Sequence, residues 1–301
     1  MAHPYVLLLL AMLMFSGNFI VGKAFSDTIP PLTLSFMRFA MAAVILLPLG
    51  WQEIMNNKAL WRQEWRPLAG LALTLGLFNV MLYTSVHYTT TINASIVDAL
   101  TPAVAAMLGF LFLKERLLSK QVAGIIISFA GVVWIVSRGS LGTLLSLSIN
   151  PGDLLMLLGV VSWAVYSIFI KQYGHRFPFY GGIIMTMVFG AVFLLPAAAF
   201  EWRDGFPIEW TVSHISGLLY IGIFPSALAI LLWNRGVAEV GPSQASIFFN
   251  LVPLFTTVAA VLFLGESFGL VQLVGGALVL GACTSPPNHK GCLIKGAWHL
   301  L

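Results

Sequence analysis

Long apolar runs separated by short polar or charged stretches dominate this chain of 301 residues. A helix needs about 20 mostly apolar residues to cross a bilayer, whereas a membrane-barrel strand alternates apolar and polar residues over about ten positions. The runs do not alternate, so they predict helices. Cutting the chain at charges, prolines and polar clusters predicts ten spans: 5–25, 31–49, 67–88, 93–113, 121–137, 151–170, 178–200, 213–233, 242–264 and 268–282.

The composition supports a membrane environment. Apolar residues make up 59% of the chain and charged residues only 9%, whereas about a quarter of the residues of a soluble domain are charged. So few charges cannot cover a soluble globule of this length, and the mean hydropathy is +0.93. The chain is therefore predicted to be an all-α integral membrane protein that crosses the bilayer repeatedly.

Lysine and arginine are distributed unevenly between the two sides of the predicted bundle. With the N-terminus in the cytoplasm, Lys23, Arg138 and Arg203 fall on the outer side, Arg38 falls within a span, and the other eleven of the 15 fall on the inner side. Cytoplasmic loops carry this excess in most membrane proteins. We expect a multi-pass protein of the inner (plasma) membrane, with both termini in the cytoplasm.

The chain also matches itself when it is shifted by 151 residues. DALTPAVAAMLGFLFLKE then lies over FNLVPLFTTVAAVLFLGE, and Pro102 lies over Pro253. The alignment predicts a five-helix repeat at 1–137, a linker at 138–150, a second repeat at 151–282 and a tail at 283–301. Because five is odd, the two repeats are inverted about a pseudo-twofold axis in the membrane plane, an arrangement typical of transporters that work by alternating access.

Several motifs together resemble one family. They are FSGNFIVGK in the first span, PPLTLSFMRF in the second, ASIVDALTPAVAAMLGFLFLKE followed by QVAGIIISFAGV, and SWAVYSIFIK. This combination is similar to the EamA-type branch of the drug/metabolite transporter superfamily, and within it to YddG-type amino-acid exporters. The resemblance implies a ten-helix carrier of small metabolites with helices 1, 3, 4, 6, 8 and 9 around a central cavity. At position 15 this chain has phenylalanine, where the family often carries tryptophan.

On this basis we expect a secondary transporter that moves small metabolites, foremost amino acids with aromatic or other apolar side chains, out of the cytoplasm. A broad-specificity drug or cation efflux carrier is the alternative within the superfamily. An intramembrane enzyme or receptor is the alternative from another class, but HExxH, a second intramembrane acid and a P-loop are missing from the sequence. The expected partners are a small-molecule substrate and membrane lipid, without cofactor, metal or nucleic acid. A monomer is expected, with a homodimer left open.

Polar and aromatic side chains within the spans are candidates for the lining of the cavity. Each could instead serve packing or a bond between helices, but they converge on the helices that the resemblance places around the cavity. Amide and aromatic groups suit a zwitterion with an apolar side chain. The candidates are Asn18, Asn79, Tyr83, Asp98, Trp163, Tyr166, Ser167, Trp233 and Asn250.

Other residues are assigned to coupling and gating. Asp98 is either an interfacial acid wetted from outside or a cavity acid that binds a cation or carries a proton. His87 is a second candidate for proton or ion coupling, or an outer-interface histidine without such a role. Pro102 and Pro253 recur in both repeats and are candidate hinges of the gates.

The remaining charges near the span ends have several interpretations. Arg38 could pair with Asp98, extend outward to lipid headgroups, or bind a substrate carboxylate. Lys23 and Asp27 are four residues apart and are expected to form a local pair. Glu115 and Glu266 recur in both repeats, so they are interpreted as scaffold that pairs with cations or caps the next helix.

Overall fold

The computed structural model describes residues 3–113, 119–140, 150–203, 210–240, 245 and 247–283. The α-helices of this part are α1 Pro4–Ala24, α2 Pro31–Asn56, α3 Lys58–Gln63, α4 Trp65–Tyr88, α5 Thr91–Asp98, α6 Thr101–Leu113, α7 Ser119–Val136, α8 Pro151–Tyr173, α9 Phe179–Glu201, α10 Val212–Ile221, α11 Ala229–Val240, α12 Leu251–Ala259 and α13 Leu270–Cys283. Short 3₁₀ segments cover Gly174–Arg176 and Ile247–Asn250. Two π-helical segments cover Gly222–Leu228 and Ala260–Leu264.

Seven helical runs in the described residues are long and apolar enough to cross a membrane: Pro4–Ala24, Pro31–Asn56, Trp65–Tyr88, Thr91–Phe112, Pro151–Arg176, Phe179–Glu201 and Val212–Val237. Three shorter apolar helices cover Val122–Val136, Phe248–Leu264 and Leu270–Gly281. The prediction of a helical, multi-pass membrane protein is confirmed, while the five-plus-five arrangement stays a prediction. Residues 141–149 of the predicted linker and the tail beyond Cys283 lie outside the described residues.

Proline and short polar side chains define where the helices start. Proline begins α1, α2 and α8, where its fixed φ suits the first turn and its missing N–H costs no helical bond. The Asn150 side chain accepts a hydrogen bond from the Gly152 N–H at 2.8 Å, and the Thr90 hydroxyl accepts one from the Asn93 N–H at 3.1 Å. These caps satisfy backbone donors that the first turn leaves free.

The helices of the first part of the chain pack mainly against helices of the second part. Helix α2 lies against α9, α4 against α8, α7 against α13, and α1 against α11 and α12. The α7–α13 contact depends on glycine, because a Cβ added at Gly131 would lie 2.9 Å from the Gly275 carbonyl oxygen. We call the end of the bundle that holds the start of α2 and the end of α4 the outer end, following the predicted orientation.

The helix predicted over 93–113 is interrupted at Ala99 and Leu100, between α5 and α6. Pro102 has no N–H, so it cannot donate to the Asp98 carbonyl one turn earlier. The chain tightens instead, and the Leu100 N–H donates to the Val97 carbonyl at 3.0 Å. At the corresponding place in the second part, the 3₁₀ segment Ile247–Asn250 ends directly before α12, which carries Pro253 in its first turn.

Carboxylates close both ends of the antiparallel α2–α9 pair. At the outer end, the Glu201 carboxylate accepts from the Thr33 N–H at 2.7 Å and the Leu32 N–H at 3.3 Å, at the start of α2. At the opposite end, the Glu53 carboxylate accepts from the Gly181 N–H at 2.7 Å, at the start of α9. Each acid lies near the end of one helix and caps the start of its partner, where the helix dipole favours negative charge.

Glu266 makes an equivalent contact across the bundle. Its carboxylate accepts from the Thr91 N–H at 2.9 Å, the Thr91 hydroxyl at 2.7 Å and the Ile92 N–H at 3.2 Å. The scaffold interpretation holds, but the expectation that Glu266 caps the next helix is wrong, because it caps α5 of the first part. Glu115 lies outside the described residues.

We expect Glu266→Ala to lower the free energy of unfolding by about 1–2 kcal/mol, because the start of α5 loses its cap. The thermal unfolding midpoint of the purified protein in detergent measures this effect. The matched control is Glu64→Ala, which removes a surface ion pair to Arg176 at 2.9 Å and is expected to cost about 0–1 kcal/mol. If Glu266→Ala and the parent protein have the same thermal unfolding midpoint, Glu266 does not stabilise the start of α5.

Candidate functional site

A buried polar network joins four elements. The Arg38 guanidinium, 4% exposed, donates through Nη1 to Asn79 Oδ1 and to the Tyr83 hydroxyl at 3.3 Å, and through Nη2 to the Pro225 carbonyl at 3.4 Å. The Tyr83 hydroxyl in turn donates to Asn18 Oδ1 at 2.7 Å. We call Asn18, Arg38, Asn79 and Tyr83 the polar network. It links α1, α2, α4 and the π-helical segment Gly222–Leu228.

Helical spacing brings these groups together. Asn79 and Tyr83 are one turn apart on α4, so both face Arg38 of α2. The Asn79 amide nitrogen also donates to the Leu75 carbonyl at 2.8 Å, which orients the side chain so that its oxygen accepts from Arg38. Each member of the network thus has a hydrogen-bond partner although all are buried.

Two of the interpretations of Arg38 are wrong. The side chain does not extend outward, since it is buried and bonds only inside the bundle. It does not pair with Asp98 either, because no carboxylate of the described ranges lies within ion-pairing distance of it. Asp98 instead accepts a long hydrogen bond, 3.4 Å, from the Thr101 hydroxyl.

An aromatic cluster lies beside the polar network. The Trp163 ring is 4.8 Å from the Phe78 ring, 5.4 Å from the Tyr166 ring and 5.5 Å from the Phe249 ring, measured between centroids. Trp233 packs on Phe249 at 5.0 Å. We call this set the aromatic cluster; its members are Phe15, Phe78, Trp163, Tyr166, Trp233 and Phe249.

Two helices carry residues of both groups. On α1, Phe15 precedes Asn18 by three residues, a rise of about 4.5 Å along the axis. On α4, Phe78 directly precedes Asn79. Both helices run toward the outer end, so the polar network lies on the outer side of the aromatic cluster and adjoins it. The structure therefore brings together Asn18, Asn79, Tyr83, Trp163, Tyr166 and Trp233 in one buried region.

Ser167 and Asn250 have different surroundings. The half-buried Ser167 hydroxyl donates to the Trp163 carbonyl at 2.9 Å, a bond inside α8. Asn250, also half-buried, directly follows Phe249 of the aromatic cluster. Within the described residues, both polar atoms of the Asn250 side chain and the Trp163 Nε1 have no hydrogen-bond partner. These atoms can bond to a polar group of a ligand.

Asp98 lies at the interruption between α5 and α6 and is only 2% exposed. The hypothesis of an interfacial acid wetted from outside is therefore wrong. A second buried acid, Asp153, is not among the residues predicted from the sequence; its carboxylate accepts from the Thr89 hydroxyl at 2.7 Å. Asp153 lies at the third position of the predicted span 151–170, which was a signal of burial, but an acid in the first turn of a helix is ordinary and does not stand out.

His87 lies at the outer end, where its side chain is 45% exposed. Its Nδ1 is 3.1 Å from the Ser26 carbonyl oxygen and 3.8 Å from the Asp27 carboxylate. The expected Lys23–Asp27 pair is wrong, because the Lys23 ammonium donates to the Val86 carbonyl at 2.7 Å. His87 and Asp27 line a cavity of about 330 Å³ that opens at this end.

Comparison with known proteins decides the family. The model of the EamA-like transporter family matches the chain twice, over residues 3–137 and 150–285. The chain belongs to the EamA-like transporter family. The predicted membership of the drug/metabolite transporter superfamily is thereby confirmed, while the amino-acid exporter branch stays a prediction.

Two of the following three relatives of this EamA-like protein carry transporter names. The uncharacterized transporter YyaM of Bacillus subtilis strain 168 is 29% identical over 287 residues, 93% of this chain and 92% of that protein. An uncharacterized transporter of Archaeoglobus fulgidus is 30% identical over 295 residues, 96% and 99% of the two chains. Protein PecM of Dickeya dadantii is 26% identical over 278 residues, 88% of this chain and 86% of PecM. These relatives support a transporter role.

A solved crystal structure of a protein has the same fold. It matches with a TM-score of 0.67 at 18% identity and covers 93% of this chain and 95% of its own. At this identity the likeness concerns the fold alone.

Proposed function

We propose that this EamA-like protein is a secondary transporter that exports small metabolites, foremost amino acids with aromatic or other apolar side chains, by alternating access. The observation that carries the substrate class is the placement of the polar network next to the aromatic cluster along α1 and α4. A guanidinium, two amides and a phenol beside six aromatic rings suit a small molecule with a charged head and an apolar body. The lining also includes Asp98, Ser167 and Asn250.

The proposed mechanism uses two inverted halves of five helices each. Three observations support it. The family model matches each half separately, and the α2–α9 pair is capped reciprocally at its two ends. Helical geometry also changes just before both prolines, by the interruption between α5 and α6 before Pro102 and by the change from 3₁₀ to α before Pro253. In inverted-repeat transporters, interrupted helices at corresponding positions form the binding site near the midplane. Exchange of conformations between similar halves converts an outward-open cavity into an inward-open one.

Pro102 and Pro253 are the proposed hinges. We expect Pro102→Ala to restore the missing backbone bond to the Asp98 carbonyl, to straighten α5 and α6 into one helix, and to slow transport about tenfold. Initial rates of substrate exchange in proteoliposomes measure the effect.

The control for the hinge is Pro48→Ala, which changes an exposed proline inside the continuous helix α2 and is expected to keep the parent rate within about twofold. Parent kinetics in Pro102→Ala and in Pro253→Ala argue against hinges at these prolines.

The placement of lysine and arginine supports insertion in the inner membrane with both termini in the cytoplasm. Efflux of cationic drugs is a second candidate function, which the buried carboxylate of Asp98 favours. We propose no catalytic activity, in keeping with the transporter names of the family and the relatives.

A panel of amino acids, aromatic carboxylic acids and organic cations tests the function in proteoliposomes, with and without an imposed pH gradient. Saturable, stereoselective uptake of amino acids is the expected result. Uptake of the cations alone supports the drug-efflux alternative, and electrical conductance without saturation supports a channel. Protein-free liposomes are the control, and equal uptake in both contradicts a transporter of these compounds.

A further inference from the structure

We infer that Arg38 binds the carboxylate of the transported molecule, so that the protein selects monocarboxylates with an aromatic or apolar body and does not require an ammonium group. This inference rests on the proposed function and names the substrate class of the same site. It assigns the recognised charge to one residue.

Charge balance is the first step. The three groups that accept hydrogen bonds from Arg38 are all neutral: the Asn79 amide, the Tyr83 hydroxyl and the Pro225 carbonyl. A cation buried without an anion is costly in a low-dielectric interior. Because the described residues supply no carboxylate here, a bound carboxylate would provide the missing negative charge.

Donor geometry is the second step. Arginine has five N–H donors in a planar fork that matches the two oxygens of a carboxylate. The three hydrogen bonds of Arg38 leave two of these donors for a ligand, while Asn79 and Pro225 hold the guanidinium in place. Arg38 of α2 is thus already fixed in one orientation by Asn79 of α4 and by Pro225. Its side chain therefore loses little conformational entropy when a carboxylate binds.

The position of the aromatic cluster is the third step. Phe15 of the cluster precedes Asn18 by roughly 4.5 Å along α1 and Phe78 directly precedes Asn79 on α4, so the two groups are offset by about one helical turn or less. This offset suits a molecule in which one or two carbons separate a carboxylate from a phenyl ring. The carboxylate would lie at Arg38 and the ring would lie against Trp163 and Phe78.

The separation of the two buried charges is the last step. Asp98 bonds to Thr101 of its own helical region and is not ion-paired with Arg38. A buried carboxyl, unlike a guanidinium, can become neutral by taking up a proton, so the ligand does not need to supply an ammonium group to Asp98. Aromatic acids without an amino group should bind about as well as aromatic amino acids.

Three probes test this: phenylalanine, phenylacetate and 2-phenylethylamine, whose binding to the purified protein is measured by competition with radiolabelled phenylalanine. We expect phenylalanine and phenylacetate to bind within about threefold of each other and the amine at least tenfold more weakly. Arg38→Gln should weaken both carboxylates at least tenfold, and Arg38→Lys should restore part of the loss because it keeps the charge. Arg62→Gln, at an exposed position of helix α3, is the control and should bind as the parent does.

The outcomes separate the inference from the proposed function. Undiminished binding of the carboxylates to Arg38→Gln, preference for the amine, or failure of the parent protein to bind either carboxylate overturns the inference. Saturable transport of other amino acids in the proteoliposome panel would leave the proposed function standing in each case. If Arg38→Gln does not fold, the probe preference of the parent still decides, together with a weaker binding of both carboxylates to Arg38→Lys than to the parent.

Discussion

Replacing Trp163 with alanine is expected to weaken substrate binding about a hundredfold and to lower the free energy of unfolding by about 3–5 kcal/mol. Trp163 is 2% exposed and contacts Phe15, Phe78, Tyr166 and Phe249, so truncation opens a large cavity where four elements meet. Its indole N–H is also among the unpaired polar atoms of the described region, so the substrate loses both an aromatic surface and a donor.

Two further variants separate binding from stability. Trp163→Phe keeps an aromatic ring but loses the indole N–H, and it should recover most of the thermal unfolding midpoint and part of the affinity. Trp51→Ala removes a tryptophan of α2 that is 51% exposed, and it should change either quantity little. The measurements are exchange kinetics in proteoliposomes and unfolding in detergent. If Trp163→Ala bound the substrate as tightly as the parent protein, the aromatic cluster would serve packing alone and would not bind the substrate.

Asp98→Asn is expected to remove the dependence of transport on an imposed pH gradient while leaving the fold intact. The described residues place no cation within ion-pairing distance of this buried carboxylate, which lies where α5 and α6 are interrupted. Uptake of a proton or a ligand cation by Asp98 would therefore be coupled to the movement of these helices. Asparagine keeps the shape and the hydrogen bond from Thr101 but cannot titrate.

His87→Gln is the matched control, because His87 is the other coupling candidate but is largely exposed at the outer end. Substrate accumulation driven by the pH gradient should fall in Asp98→Asn to the level seen without a gradient, and should stay at the parent level in His87→Gln. The unfolding midpoint of Asp98→Asn should be unchanged or raised, since a buried charge without a counter-ion is removed. The opposite pattern, with loss only in His87→Gln, assigns the coupling to His87.

The helix starts and the interruptions differ in how far the sequence predicts them. Proline at 4, 31 and 151 marks helix starts by its own backbone geometry, so local sequence suffices. Proline at 102 was predicted as a hinge inside one continuous helix, yet the structure ends α5 at Asp98. A proline inside an apolar run permits a kink or a full interruption, and packing against the neighbouring helices decides between them.

The contacts of the candidate site also differ in how far the sequence predicts them. Periodicity on α4 placed Asn79 and Tyr83 on one face, and the structure confirms that both contact Arg38. The hydrogen bond from Arg38 to the Pro225 carbonyl was not predictable, because residues 38 and 225 are remote in sequence and no spacing rule connects them. The same holds for Glu266, whose carboxylate caps a helix that begins 175 residues earlier.

Hydrophobic length and local motifs are properties of contiguous residues, so they were enough to predict that the chain is helical, crosses a membrane repeatedly and resembles one transporter superfamily. The packing of the helices was needed to show that Arg38 is buried among neutral partners and that Asp98 is shielded from water. It was also needed to show that the Trp163 ring contacts rings of α1, α4 and the segment before α12. The physical reason is that burial and charge pairing depend on which helices are neighbours, and apolar helices of similar composition carry little local information about their partners.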